Sequence, residues 1–151
     1  MIALAPFPAR LAAGTLHYRP DEYAFSTEPN PGSFTSLLVN DVHIEVDADG
    51  RAMCVWGLCP YPSWIARTLT HPVAVDSGLR ATGAELEPGV GIRLNPGHRW
   101  PVFVDRARVL LCIGEPECSD YDSYRFAPGA VAVLREGELV ALWLTPEHVP
   151  A

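Results

Sequence analysis

Four cysteines fall as Cys54-x4-Cys59 and Cys112-x5-Cys118, and four thiols on two segments are the smallest set that makes an all-cysteine tetrahedral zinc site. The spacing argues against one, because structural zinc takes its paired ligands about two to four residues apart. Cys54 and Cys112 also stand inside apolar runs, where a thiol behaves as a small hydrophobe. Cys59 and Cys118 fall past expected strand ends. The carboxylates around Cys118 raise a thiol pKa, which makes it a poor nucleophile. No metal and no cofactor are expected.

Asp41, His43 and Glu45 alternate along one stretch and so project from one face of a strand, the minimum geometry for a carboxylate–imidazole pair. An outward, solvated strand face reads the same way, and these side chains are expected to point to water. His17, His71, His98 and His148 show no HxH, HxxxH or HExxH spacing. His98, in Asn95-Pro-Gly-His-Arg-Trp100, has an arginine and an aromatic beside it and offers a polar edge to a ligand. The stretch from Trp56 to Trp64 places Tyr61 between two tryptophans on a proline-rich exit from a strand. It is either the wall of a pocket or a packed corner that closes one end of the fold. Between residues 115 and 122, Glu115, Glu117, Asp120 and Asp122 crowd around Tyr121 with no intervening base. The plain reading is a solvated loop; the functional one is a landing surface for a basic protein, where charge speeds association and tyrosine supplies contact area.

Other chemistries find no support. Gly89-Val-Gly91 opens a strand and lacks the helix N-terminus that holds pyrophosphate. Asp47-x-Asp49-Gly50 lacks the third acidic ligand and distal glutamate of a calcium loop. No GxSxG elbow occurs. With 18 acidic and 11 basic residues the formal charge is −7, which repels a polyanion, so nucleic acid is not an expected partner. All the bases are arginine, and neither lysine nor glutamine occurs, a usage typical of high-GC bacteria. The first ten residues carry no basic region before their apolar stretch and are interrupted by Pro6 and Pro8, unlike a secretory signal. No apolar run approaches the roughly eighteen residues of a membrane helix. These features together predict a cytoplasmic protein with reduced thiols.

The elements that must position these residues are short. Fifteen prolines and twelve glycines in 151 residues leave little room for an amphipathic helix. About ten strands are expected, at 14–18, 36–47, 51–58, 72–75, 90–94, 102–104, 109–114, 123–126, 130–134 and 138–144. The one helical candidate is 63–69, with Ser63 as its cap. The fold class is therefore all-β: one compact domain, a sandwich or barrel of mostly antiparallel strands joined by hairpins.

One hairpin can be placed by register. A three-residue loop, Ala48-Asp49-Gly50 with Gly50 left-handed, pairs Asp47 with Arg51 and sets Val42, Ile44 and Val46 opposite Trp56, Cys54 and Ala52. Cys54 and Trp56 then point into the core. A second turn, Arg135-Glu136-Gly137, joins two runs that are apolar on both faces, so that hairpin should lie centrally with cover on each side. In both hairpins a tryptophan follows the turn glycine by six residues and a proline comes next, a pattern an internal duplication would also produce.

The function expected from these readings is a non-enzymatic, cytosolic protein-binding module. It would neutralise or adapt a basic partner through Glu115, Glu117, Asp120, Tyr121 and Asp122 together with Asp41, His43 and Glu45. The alternative is a small-molecule-binding β-barrel or small enzyme, with Trp56, Tyr61, Trp64 and His98 around its ligand. A ligand site needs a cavity with convergent polar groups; a binder needs an exposed patch over a filled core.

Overall fold

The computed structural model describes residues 2–117 and 120–151; Cys118, expected to be a poor nucleophile, lies outside them. Fifteen strands form three sheets among the described residues. The first large sheet joins β2 (Thr15–Arg19), β3 (Ala24–Glu28), β4 (Thr35–Val39), β5 (Val42–Val46), β6 (Ala52–Leu58) and the short β10 (Ile92–Arg93) in the order β10-β4-β5-β6-β3-β2. The second joins β7 (Ile65–Ala66), β8 (Val75–Asp76), β11 (Val102–Asp105), β12 (Leu110–Gly114), β13 (Asp122–Ala127), β14 (Ala130–Arg135) and β15 (Glu138–Leu144) in the order β7-β11-β12-β15-β14-β13-β8. A ribbon of β1 (Ala3–Phe7) and β9 (Gly78–Thr82) completes the set. The sheets do not close into a barrel and form a sandwich-like arrangement. Parallel pairing is confined to the two-residue strands β7, β8 and β10 at sheet edges.

The core lies between the two large sheets. Val42, Ile44 and Val46 of one face Leu111, Ile113, Leu142 and Leu144 of the other in one cluster of buried apolar side chains. The ribbon fastens the sheets together at one side: Leu4 N donates to Gly137 O (2.8 Å) in the second sheet and Ala81 N to Gly50 O (2.8 Å) in the first.

The β14–β15 hairpin is central, and both of its faces are buried as its composition requires. Its turn is tighter than expected. Arg135 pairs directly with Glu138, and Glu136 and Gly137 take φ of 52° and 82°, the two left-handed positions of a type I′ turn. The second face is covered by residues 67–76, which carry Leu69 into a cluster with Val131, Val133 and Trp143. Asp105 anchors that segment by accepting from Leu69 N (2.9 Å).

Three local expectations are corrected. Residues 36–47 are two strands, because Asn40 takes φ of 54° and reverses the chain between Val39 and Val42; asparagine tolerates that region. Residues 63–69 form no helix: a 3-10 turn at Tyr61–Ser63 ends where the helix was expected to begin, and β7 follows. The first hairpin has the expected loop, with Asp47 N donating to Arg51 O (3.0 Å) and Val46 opposite Ala52. Beyond that pair, however, Met53 bulges, so Glu45 faces Cys54 and His43 faces Trp56. One extra residue moves every later side chain to the other face. Trp56 is therefore 36% exposed on the outer side of the sheet, not in the core.

Candidate functional site

A cleft of about 910 Å³ opens beside the sandwich, between β10, β11, the end of β12, the β14–β15 turn and the start of β1. Ile2, Leu4, Ile92, Trp100, Phe103 and Leu139 give it a mainly apolar wall. The volume lies in the range of small-molecule sites, about 300–1,000 Å³.

The loop over residues 94–101 forms one side, and a pair of buried asparagines holds it. Asn40, on the β4–β5 turn, and Asn95 are each only 4% exposed. Asn40 Oδ1 accepts from Asn95 Nδ2 (2.8 Å) and Trp100 N (2.9 Å), while Asn40 Nδ2 donates to Trp100 O (3.0 Å) and Asn40 N to Asn95 Oδ1 (3.1 Å). Buried amides satisfied this fully fix the loop in one position. Trp100 then lies against Gly114, where φ is 111° and a Cβ would stand 2.9 Å from the Trp100 ring and 2.5 Å from Val140 O. Only glycine fits that seat.

Both arginines at the cleft are already engaged. Arg93 donates to Asn40 O and lies 3.8 Å from Asp41, which also pairs with Arg99 at 3.2 Å. Arg135 donates to Tyr121 Oη (3.4 Å), rests over the Tyr121 ring at 5.6 Å and faces Glu138 across the hairpin. Tyr121 above all, with Glu115 and Glu138 adding to it, holds the proton on Arg135 more firmly than usual. Arg93, Arg135, Glu115, Glu138 and His98 all line the cleft.

The residues singled out from the sequence distribute over three places. His98 and Glu115 belong to the cleft, and Asp41 flanks it through Arg93. Glu117 pairs with Arg67, Tyr121 lies under Arg135, and Asp120 and Asp122 are exposed. His43 stands on the outer face of the first sheet, stacked on Trp56 at 4.1 Å. Its Nδ1 is buried without a hydrogen-bond partner, and burial lowers its pKa below 6.5. Glu45, expected to face water, is buried and accepts from Cys54 Sγ (3.3 Å). The Met53 bulge is what sets Cys54 opposite it.

Trp56, Tyr61, Trp64 and His98 do not share a pocket. Tyr61 and Trp64 close a packed corner with Tyr18 and Phe25, where Tyr18 and Trp64 meet edge to face at 4.8 Å. The corner's polar atoms are used internally: Tyr18 Oη donates to Cys59 O (2.7 Å) and accepts from Tyr61 N (3.1 Å), and Trp64 Nε1 donates to Cys59 Sγ (3.3 Å).

Two of the buried thiols are poor nucleophiles. Burial, reinforced by Glu45, pushes the Cys54 thiol up to about 12, and burial pushes Cys59 up to about 11, so neither supplies thiolate near neutrality. Among the described residues no three metal-ligating side chains cluster. No helix among them is long and apolar enough to cross a membrane.

Fold and site together define an all-β sandwich with a structured apolar cleft at its side. Compared with known proteins, the chain matches no family model, no curated protein and no solved structure.

The 95–100 loop was legible as a ligand edge through His98 and Trp100, but the Asn40–Asn95 pair that holds it, and Arg93 and Arg135, were missed. The Asn40-Asp41 dipeptide was the available signal, since it reads as a turn within a long apolar run.

Proposed function

We propose that this protein is a non-enzymatic binding domain whose ligand is an apolar small molecule held in the cleft. The observation that carries the reading is the 910 Å³ apolar volume beside a loop clamped by Asn40 and Asn95. A preformed cavity with few polar groups is the usual form of a small-molecule site. The basic-protein reading of the acidic loop has less behind it, because Arg67 already meets Glu117 and Arg135 already covers Tyr121. The unoxidised Cys54 and Cys59 fit a reducing compartment such as the cytoplasm.

Nile red, an uncharged dye whose emission shifts to the blue in apolar surroundings, tests the proposal. It should bind one molecule per chain with a blue shift. Ile92→Trp, which pushes a larger ring into the cleft from an edge strand, should weaken binding markedly and leave the unfolding midpoint within a few degrees. Equal binding to that variant would rule the cleft out and return the acidic surface to first place.

A further inference from the structure

The charges that line the cleft bear on what it can hold. Two arginines and two glutamates, Arg93, Arg135, Glu115 and Glu138, lie on its wall and cancel. Neither arginine is unengaged, since Arg93 has Asn40 O and Asp41, and Arg135 has Tyr121 and the cross-strand Glu138. A ligand carboxylate reaching Arg135 would be a third negative group beside Glu115 and Glu138. It would enter a chain whose formal charge is already −7. A ligand ammonium drawn to those glutamates would come up beside Arg135, which both already influence. All four of these side chains are exposed, so such contacts are screened; the larger cost falls on the ligand's own charged head, which gives up water on entering an apolar cleft that offers it no unengaged counter-charge. A hydroxyl meets neither penalty. It can donate to a carboxylate or accept from a guanidinium, and it adds no charge to the cleft.

We propose that the cleft is selective for uncharged lipid-like alcohols and turns away the acids and amines of the same chain length. The inference rests on the ligand-binding reading above and specifies the chemical class that the site accepts.

Displacement of Nile red by decan-1-ol, decanoate and decylammonium, each below its aggregation concentration at pH 8, tests it. Decan-1-ol should compete at least about tenfold better than either ion, the factor carried by roughly 1.4 kcal/mol of uncompensated charge. The exposed double substitution Glu115→Gln with Glu138→Gln should then raise decanoate affinity several-fold by leaving Arg135 without its neighbouring carboxylates, and should weaken decan-1-ol, which loses their stronger acceptors. That inversion is one that a merely structural role for the glutamates would not produce. If decanoate matched or exceeded decan-1-ol on the native chain, the selectivity would be wrong while the cleft reading stood. If none of the three displaced the dye, or all displaced it equally from Ile92→Trp, the cleft reading would fail and the selectivity with it.

Discussion

The corner built on Tyr18, Phe25, Tyr61 and Trp64 and the cleft built on Trp100 and Phe103 use similar material: aromatic side chains from strands and from the irregular, proline-containing loops next to them. In the corner each ring packs on another, and Trp64 is only 8% exposed. Its polar atoms pair with one another. In the cleft the polar framework of Asn40 and Asn95 lies behind the wall and fixes the loop's backbone, while Trp100 and Phe103 border open volume. Both loops are therefore rigid, but only one leaves apolar surface without a partner. An aromatic cluster in the sequence does not distinguish the two, because the difference lies in what the polar groups between the rings bond to.

Substitutions can break this comparison, and the largest effect should come from the corner. Trp64→Ala leaves a void in a filled cluster and should cost about 3–5 kcal/mol of stability in urea unfolding. Trp100→Ala, whose ring borders open volume, should cost less than half of that yet remove most Nile red binding. Equal losses would mean that the cleft is packed as tightly as the corner.

The clamp should rank next. Asn95→Ala strips Asn40 of two partners and should cost about 1–3 kcal/mol, with faster amide exchange across residues 94–101 and weaker dye binding. If exchange there were unchanged, the loop would owe its shape to something other than the asparagine pair.

The smallest effect is a pH dependence on the outer face. Burial lowers the His43 pKa below 6.5, so just below that pH the unfolded chain takes up a proton that the folded one does not. Stability should therefore fall as pH drops through 6.5 and rise as pH increases through it. His43→Phe, which keeps a ring on Trp56, should flatten that part of the profile. A slope that survived the substitution would have to come from another histidine.

Much of the architecture was legible because alternation and turn residues act locally. The central β14–β15 hairpin follows from a run apolar on both faces and from Glu136-Gly137. The missed strands are of a different kind: β1 contains Pro6 and survives because it pairs only with β9, and β9 and β3 are short with mixed composition. The Met53 bulge was illegible for a physical reason. The expected register turns Cys54 and Trp56 inward, whereas the bulge turns Val55 into the core instead, and alternation in the sequence does not separate two equally apolar choices. The cleft was less legible still. Its wall comes from β1, the 92–103 region, the end of β12 and the β14–β15 turn, so no motif of contiguous residues could announce it. Only His98 and Glu115 were singled out beforehand among its lining.

The cleft, and not another surface, should receive the apolar ligand. Methyl-resolved NMR during titration with decan-1-ol tests this most directly. Ile2, Leu4, Ile92 and Leu139, which line the cleft, should shift in a saturable way, while Leu37 and Leu142, deep in the core, should hold still. Saturable shifts confined to Leu58 and Ile65, exposed beside the packed corner and the outer sheet face, would contradict it.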